Sequence, residues 1–170
     1  MKYERFEELP VWKAALDLAR NVYAHTRDRF YAQPGDLRDQ LRRAALSVSN
    51  NIAEGFERGS TAELIAFLYI ARGSAGEVRS MLHFADGSPE AAHLKSEISN
   101  LKSLAESCSR QIRAWADHLQ NTAIKGPRHL NDKTRAAFAE DKAAAAFRQE
   151  LAHRLHRALP DIYPAPPAQE

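Results

Sequence analysis

The chain has 170 residues, 44% of them hydrophobic, and a net charge of +2, so it can build a single core with or without an appendage but carries no excess charge that would by itself hold an acidic partner. Cys108 is the only cysteine, which excludes an intrachain disulfide and a cysteine-based zinc cluster. No hydrophobic run approaches membrane-spanning length and the first residues hold no apolar signal core, so a cytoplasmic location without a membrane partner is expected.

Four helices and no strand are predicted over residues 1–122, in an all-α, antiparallel up-and-down four-helix bundle with an additional C-terminal helix. The first helix should run from Pro10 to about Phe30, with Trp12, Ala15, Leu16, Ala19, Val22, Tyr23 and Phe30 on its buried face. Pro34-Gly35 breaks the chain, and Asp36 can cap a second helix whose stripe is Leu37, Leu41, Ala44, Val48 and Ile52. Gly55 and Gly59 are placed to stop it. Ser60-Thr61-Ala62-Glu63 is a capping box that starts the third helix. Gly87-Ser88-Pro89 ends that helix and starts the fourth, with Ser88 as cap. Leu94, Ile98, Leu101, Ala105, Cys108, Ile112, Trp115 and Leu119 then recur in steps of four and three, a coiled-coil-like seam.

Residues 123–132 read as a linker around Gly126-Pro127. Residues 133–159 read as an appended helix with a thin apolar face of Ala144, Phe147, Leu151, Leu155 and Ala158, too narrow to fold alone. Residues 160–170, rich in proline, are expected to be a disordered tip. Residues 1–122 hold 16 basic and 16 acidic side chains, so any phosphate-binding surface must come from where the charges sit.

Three motifs, in order, carry a resemblance. Gln40 to Ser60 contains Gln40-Leu41-Arg42-Arg43-Ala44 followed by Ser47-Val48-Ser49-Asn50-Asn51-Ile52-Ala53-Glu54-Gly55. Phe6 to Ala15 and Phe67 to Glu77 flank it. Together they resemble the opening, the signature and the third helix of the four-helix-bundle proteins called 23S rRNA intervening-sequence proteins. Val48 stands where that family usually has isoleucine, and the loop before Asp36 lacks the family's Phe-Pro and Tyr-Gly pattern. The resemblance implies a ring-shaped homo-oligomer, often a pentamer, and a relation in fold to accessory proteins that act with reverse transcriptases and nucleic acid. It implies no reaction, and function transfers less well than fold.

Self-association has support in the residues themselves. From Leu64 to Ala71 no charge occurs, more apolar surface than one bundle buries. Ala62, Ala66, Gly73, Gly76 and Ser80 add a line of small residues, interrupted by Tyr69, on which a second backbone could settle. The alternative is close packing within one copy. Val11, Ala14 and Leu18 read as a second apolar strip on the first helix, and the expected interface is Val11, Ala14, Leu18, Ala66, Tyr69, Gly73 and Gly76.

Site chemistry divides into three readings. Lys13, Arg20 and Arg27 repeat every seven residues, and Arg38, Arg42 and Arg43 cluster early on the second helix, a candidate face for RNA or other nucleic acid. Asp17, Asp28 and Asp39 lie among them, and the alternative is a solvated, internally paired surface. Ser47, Asn51 and Glu54 form a polar stripe, read as a structural network in which Arg58 or Arg72 balances Glu54; exposed, it would be a ligand surface. Glu90-Ala91-Ala92-His93 and Glu150-Leu151-Ala152-His153 have the Glu-x-x-His form of di-iron bundles. Glu90 instead falls in the first turn of a helix, where a carboxylate favours the helix dipole, and His153 and His156 alone are a weak metal signal. The expectation is therefore no metal, no cofactor and no catalysis. The competing class is an oligomeric protein scaffold or accessory subunit that presents the C-terminal helix to another protein and binds no nucleic acid.

Overall fold

The computed structural model describes residues 3–32, 36–121, 140, 143–144, 146–152, 154 and 156–157. The chain divides into two units, Met1–Arg128 and His129–Glu170. Four α-helices make up the first: α1 Pro10–His25, α2 Leu37–Glu57, α3 Thr61–Asp86 and α4 Lys95–Gln120, with 3-10 turns at Phe6–Glu8, Arg29–Ala32 and Pro89–Leu94. Each helix packs on the next, and α1 closes the ring against α4.

Contacts between helix ends show the antiparallel course. Arg42, early in α2, donates to Thr26 just past α1. Gly55, late in α2, meets Phe67 early in α3. Lys102 near the start of α4 pairs with Asp86 at the end of α3, 2.8 Å apart, and Gln120 at the end of α4 donates to Tyr69 Oη near the start of α3. The fold is an all-α four-helix bundle, as the periodicity predicts.

The core follows the expected stripes closely on α2 and α4. Leu41, Val48 and Ile52 are fully enclosed, as are Ile98, Ala105 and Ile112, and each large aliphatic contributes about 1.5–3 kcal/mol by leaving water. On α1 the buried face is rotated from the expected one. Val11, Ala15, Leu18, Ala19 and Val22 are buried, whereas Tyr23 is exposed and Trp12 and Leu16 lie at the margin. Val11 and Leu18 thus belong to the core and not to an outer strip.

Helix ends differ from expectation for local reasons. α1 stops at His25 because the Thr26 hydroxyl turns back to the Val22 carbonyl, and the Asp28 carboxylate accepts from the Phe30 amide 2.8 Å away, which folds the chain so that Tyr31 enters the core. Asp36 makes no side-chain cap; its carboxylate accepts from the Gln40 amide group instead. Pro34 and Gly35 lie outside the described residues. Ser88 does not cap α4, since its hydroxyl donates to the Phe84 carbonyl, and a 3-10 turn carries the chain to Lys95. The Ser60 hydroxyl oxygen does cap α3, accepting from the Glu63 amide, but the Glu63 carboxylate accepts from that same hydroxyl rather than from the Ser60 backbone.

Gly55 does not end α2. It sits inside the helix, buried against α3, where an added β-carbon would lie 2.6 Å from Phe67 Cβ and 3.3 Å from Leu64 Cδ1. Gly73, inside α3, is the opposite case, with nothing within 4 Å of such a carbon. The described residues of the second unit, between 140 and 157, are helical. Phe147 and Leu151 are exposed there, and Arg154 pairs with Glu150. Leu155, Ala158, the linker and the tip lie outside the described residues.

Gly55→Ala should cost about 1–3 kcal/mol by forcing α2 from α3, while Gly73→Ala should leave the single copy intact or stabilise it by up to about 1 kcal/mol. Urea unfolding of the two variants measures both. Equal effects would contradict the assigned contact.

Candidate nucleic-acid interface

The anchor of this region is Arg42. Its Nε donates to Thr26 Oγ1 at 2.8 Å and an Nη donates to the Thr26 carbonyl at 3.3 Å, while the guanidinium lies over the Tyr23 ring, 5.0 Å from its centroid. A planar fork suits this double role, which lysine would not reproduce. Arg42 therefore holds the start of α2 to the end of α1.

Around that junction the other cations differ in exposure and in pairing. Arg27 and Arg43 are exposed and form no ion pair among the described residues. Arg38 lies 3.3 Å from Asp39, and Arg20 lies 3.4 Å from Asp17. Exposed pairs of this kind are worth about 0–1 kcal/mol, so a phosphate can compete for either arginine. Lys13 is exposed early in α1, about 18 Å from the end of that helix at the helical rise. Asp28 does not neutralise Arg27, because its carboxylate is committed to the Phe30 amide and to His93 Nε2 at 3.2 Å. Those two contacts, the amide first, hold its pKa below the ordinary carboxylate value.

The sequence reading overlooked Tyr23 and Arg29. Periodicity alone places Tyr23 in the core, although it follows Arg20 by one turn of α1 and precedes Arg27 in the turn beyond His25. Arg29, exposed in the turn after α1, carries no periodic signal because it lies outside the helix.

The end of α1 also carries a polar pair. His25 Nε2 and Tyr31 Oη are 2.9 Å apart. Burial pushes the Tyr31 hydroxyl up to about 12, and burial lowers the His25 pKa, partly offset by the charges of Glu97 and Asp28.

The stripe of Ser47, Asn51 and Glu54 separates into two parts. Ser47 and Asn51 are half-buried in the seam between α2 and α3. The Asn51 amide donates to Ser47 Oγ at 2.9 Å, the Ser47 hydroxyl lies 2.9 Å from Ser74 Oγ, and the Ser74 hydroxyl donates to the Ile70 carbonyl at 3.2 Å. With Ser74 donating to Ile70, its oxygen is left to accept from Ser47, so the chain of donors runs one way. Glu54 stands outside this network and pairs with Arg58 at 2.6 Å on the surface. Arg58 also lies over the Phe67 ring, 5.1 Å from the centroid.

The remaining leads resolve similarly. His93 faces Asp28, and Glu90 is exposed in the 3-10 turn before α4. His153 lies outside the described residues. Among the described residues no group of three or more His, Cys, Asp or Glu is placed to hold a metal. Cys108 is buried in the α4 seam, where burial raises its thiol to about 11, so it is a poor nucleophile at neutral pH. On the outer side of α3, Ala66, Tyr69, Ile70, Gly73 and Gly76 are exposed; Ala14 on α1 is half-buried.

Fold and connectivity define the class: an antiparallel helical bundle with a bonded polar seam between α2 and α3. The family model for the 23S rRNA-intervening sequence protein matches residues 7–114, and the chain belongs to that family. A crystal structure of a protein of unknown function from the S23 ribosomal protein family of Bacteroides thetaiotaomicron is similar in fold. It has 17% sequence identity and a TM-score of 0.55, covering 62% of this chain and 97% of its own. No match was found among curated proteins. Among the described residues no helix is long and apolar enough to cross a membrane.

The lowered His25 pKa has a sign. Between the ordinary histidine value of 6.5 and the lower folded value, the unfolded chain binds a proton that the folded chain resists. Stability should therefore fall as pH drops below 6.5. His25→Gln, which keeps a partner for Tyr31, should remove that component in urea titrations from pH 7 to 5. An unchanged pH profile would contradict it.

Proposed function

We propose that this chain is a non-enzymatic, self-associating bundle that binds RNA or other nucleic acid through the basic face of α1 and α2. The observation that carries the reading is the placement of Arg27 and Arg43: both are exposed and unpaired among the described residues, at the junction fixed by Arg42. Lys13, Arg20 and Arg38 extend the face. A few such cations per copy, repeated around an oligomer, would release counterions from a phosphate backbone with little regard to sequence. The family's description names 23S rRNA, an RNA context in keeping with this chemistry.

Self-association is supported by the outer side of α3. Ile70 is 52% exposed, and Gly73 and Gly76 have open space where a side chain would stand. An exposed glycine inside a helix costs about 1 kcal/mol relative to alanine, a cost that close approach of a second backbone would offset. Closed symmetry is the usual outcome, and a pentameric ring in the cytoplasm is the form that family resemblance favours.

A protein scaffold is the second reading. Phe147 is 66% exposed, and Leu151 follows one turn later on the same helical segment, an apolar pair suited to a groove on another protein.

The two readings predict different variants. Arg27→Glu combined with Arg43→Glu should weaken binding of a structured RNA at least tenfold at low salt. The slope of log affinity against log salt should fall by roughly 1.4–1.8, as expected for two lost phosphate contacts. Phe147→Asp with Leu151→Asp should leave RNA binding unchanged. A wild-type chain that binds no RNA at low salt, with both variants indistinguishable from it, would favour the scaffold.

A further inference from the structure

The basic face contains an aromatic ring that its charges do not explain. Tyr23 is 39% exposed on α1. Arg20 lies one turn before it, and Arg27 follows in the turn that succeeds the helix. The Arg42 guanidinium covers the ring 5.0 Å from its centroid and is itself fixed by two hydrogen bonds to Thr26. Ring and guanidinium are therefore held in place before any partner arrives, so little side-chain freedom is lost on binding. No hydrogen bond from the Tyr23 hydroxyl within the described residues accounts for the orientation; the stacking does.

We propose that the Tyr23–Arg42 pair is a stacking platform for an unpaired nucleobase, and that the basic face takes single-stranded rather than duplex RNA. This rests on the nucleic-acid reading above and specifies its substrate. A duplex buries its base faces and offers an arginine-rich surface only phosphate, whereas an unpaired base presents a π-face that stacks on tyrosine or on a guanidinium plane. Arg20 precedes Tyr23 by one turn of α1 and Arg27 follows it in the turn beyond His25, so both can meet phosphates flanking such a base. Stacking of this kind discriminates poorly between bases, so the preference is for strandedness rather than sequence.

The test uses the full chain. Fluorescence anisotropy compares a labelled oligouridine, whose bases are largely unstacked, with an RNA duplex of equal length, for wild type, Tyr23→Ala, Tyr23→Phe and Arg27→Glu with Arg43→Glu. Tyr23→Ala should weaken oligouridine binding by roughly tenfold with an unchanged salt slope, because a base contact and no phosphate contact is lost. Tyr23→Phe should bind as wild type, and the duplex should be indifferent to both. Oligouridine binding by Tyr23→Ala equal to wild type overturns the platform while leaving the basic face standing. Loss in Tyr23→Phe equal to that in Tyr23→Ala assigns the effect to the hydroxyl and also overturns it. A change in light-scattering mass for Tyr23→Ala places the ring in a subunit interface, against the proposal. Failure of the wild type to bind either RNA at low salt removes the basic-face reading as well.

Discussion

The bundle depends on how closely α2 can lie against α3. Gly55 permits it at one end, where any side chain would meet Phe67, and the Ser47–Ser74 hydrogen bond sets the register in the middle. The first is a steric condition and the second a polar one. They act together, since a pair of half-buried hydroxyls that loses its alignment also loses its partners, at about 1–3 kcal/mol for each polar group left unsatisfied. Apolar burial spread over all four helices supplies most of the stabilisation, but being non-directional it would tolerate a shift of one turn. The Asn51–Ser47–Ser74 chain does not.

With α2 fixed in that way, Arg42 can reach Thr26 and bring the end of α1 beside the start of α2. Within the Arg38, Arg42 and Arg43 cluster, Arg42 is thus the one most engaged in structure, and it leaves Arg27 and Arg43 to face solvent. Outside the core, the small residues of α3 stay uncovered because Leu64, Leu68, Ala71 and Val78 on its other side already meet the rest of the bundle. The charges left at the surface and the exposed small residues of α3 both follow from which side of each helix the core takes.

Much of this was legible in the sequence. The α2 and α4 stripes are regular and uninterrupted, so periodicity alone located their buried sides, and the family motifs spanned α1 to α3. On α1 two apolar strips lie side by side, and periodicity alone favours the one that includes Trp12 and Tyr23, while Val11 and Leu18 of the other occupy the buried face. Gly55 was read as a helix stop because glycine has that local meaning, and only the partner helix reveals the steric one. The ends at His25 and Lys95 depend on single hydrogen bonds from Thr26, Asp28 and Ser88, which compete with longer helices at small energy differences and leave no periodic trace. The division of the basic residues into anchor and free charge was equally invisible, since it requires knowing that Thr26 faces Arg42.

The central claim joins an assembly surface on α3 to a basic face on α1 and α2. Light scattering on the full chain, with and without a structured RNA and at low and high salt, tests both parts in one measurement. A closed oligomer whose mass rises with RNA at low salt and returns to its own value at high salt is the result expected. A stable monomer would contradict the assembly half, and an oligomer indifferent to RNA at every salt concentration would contradict the other.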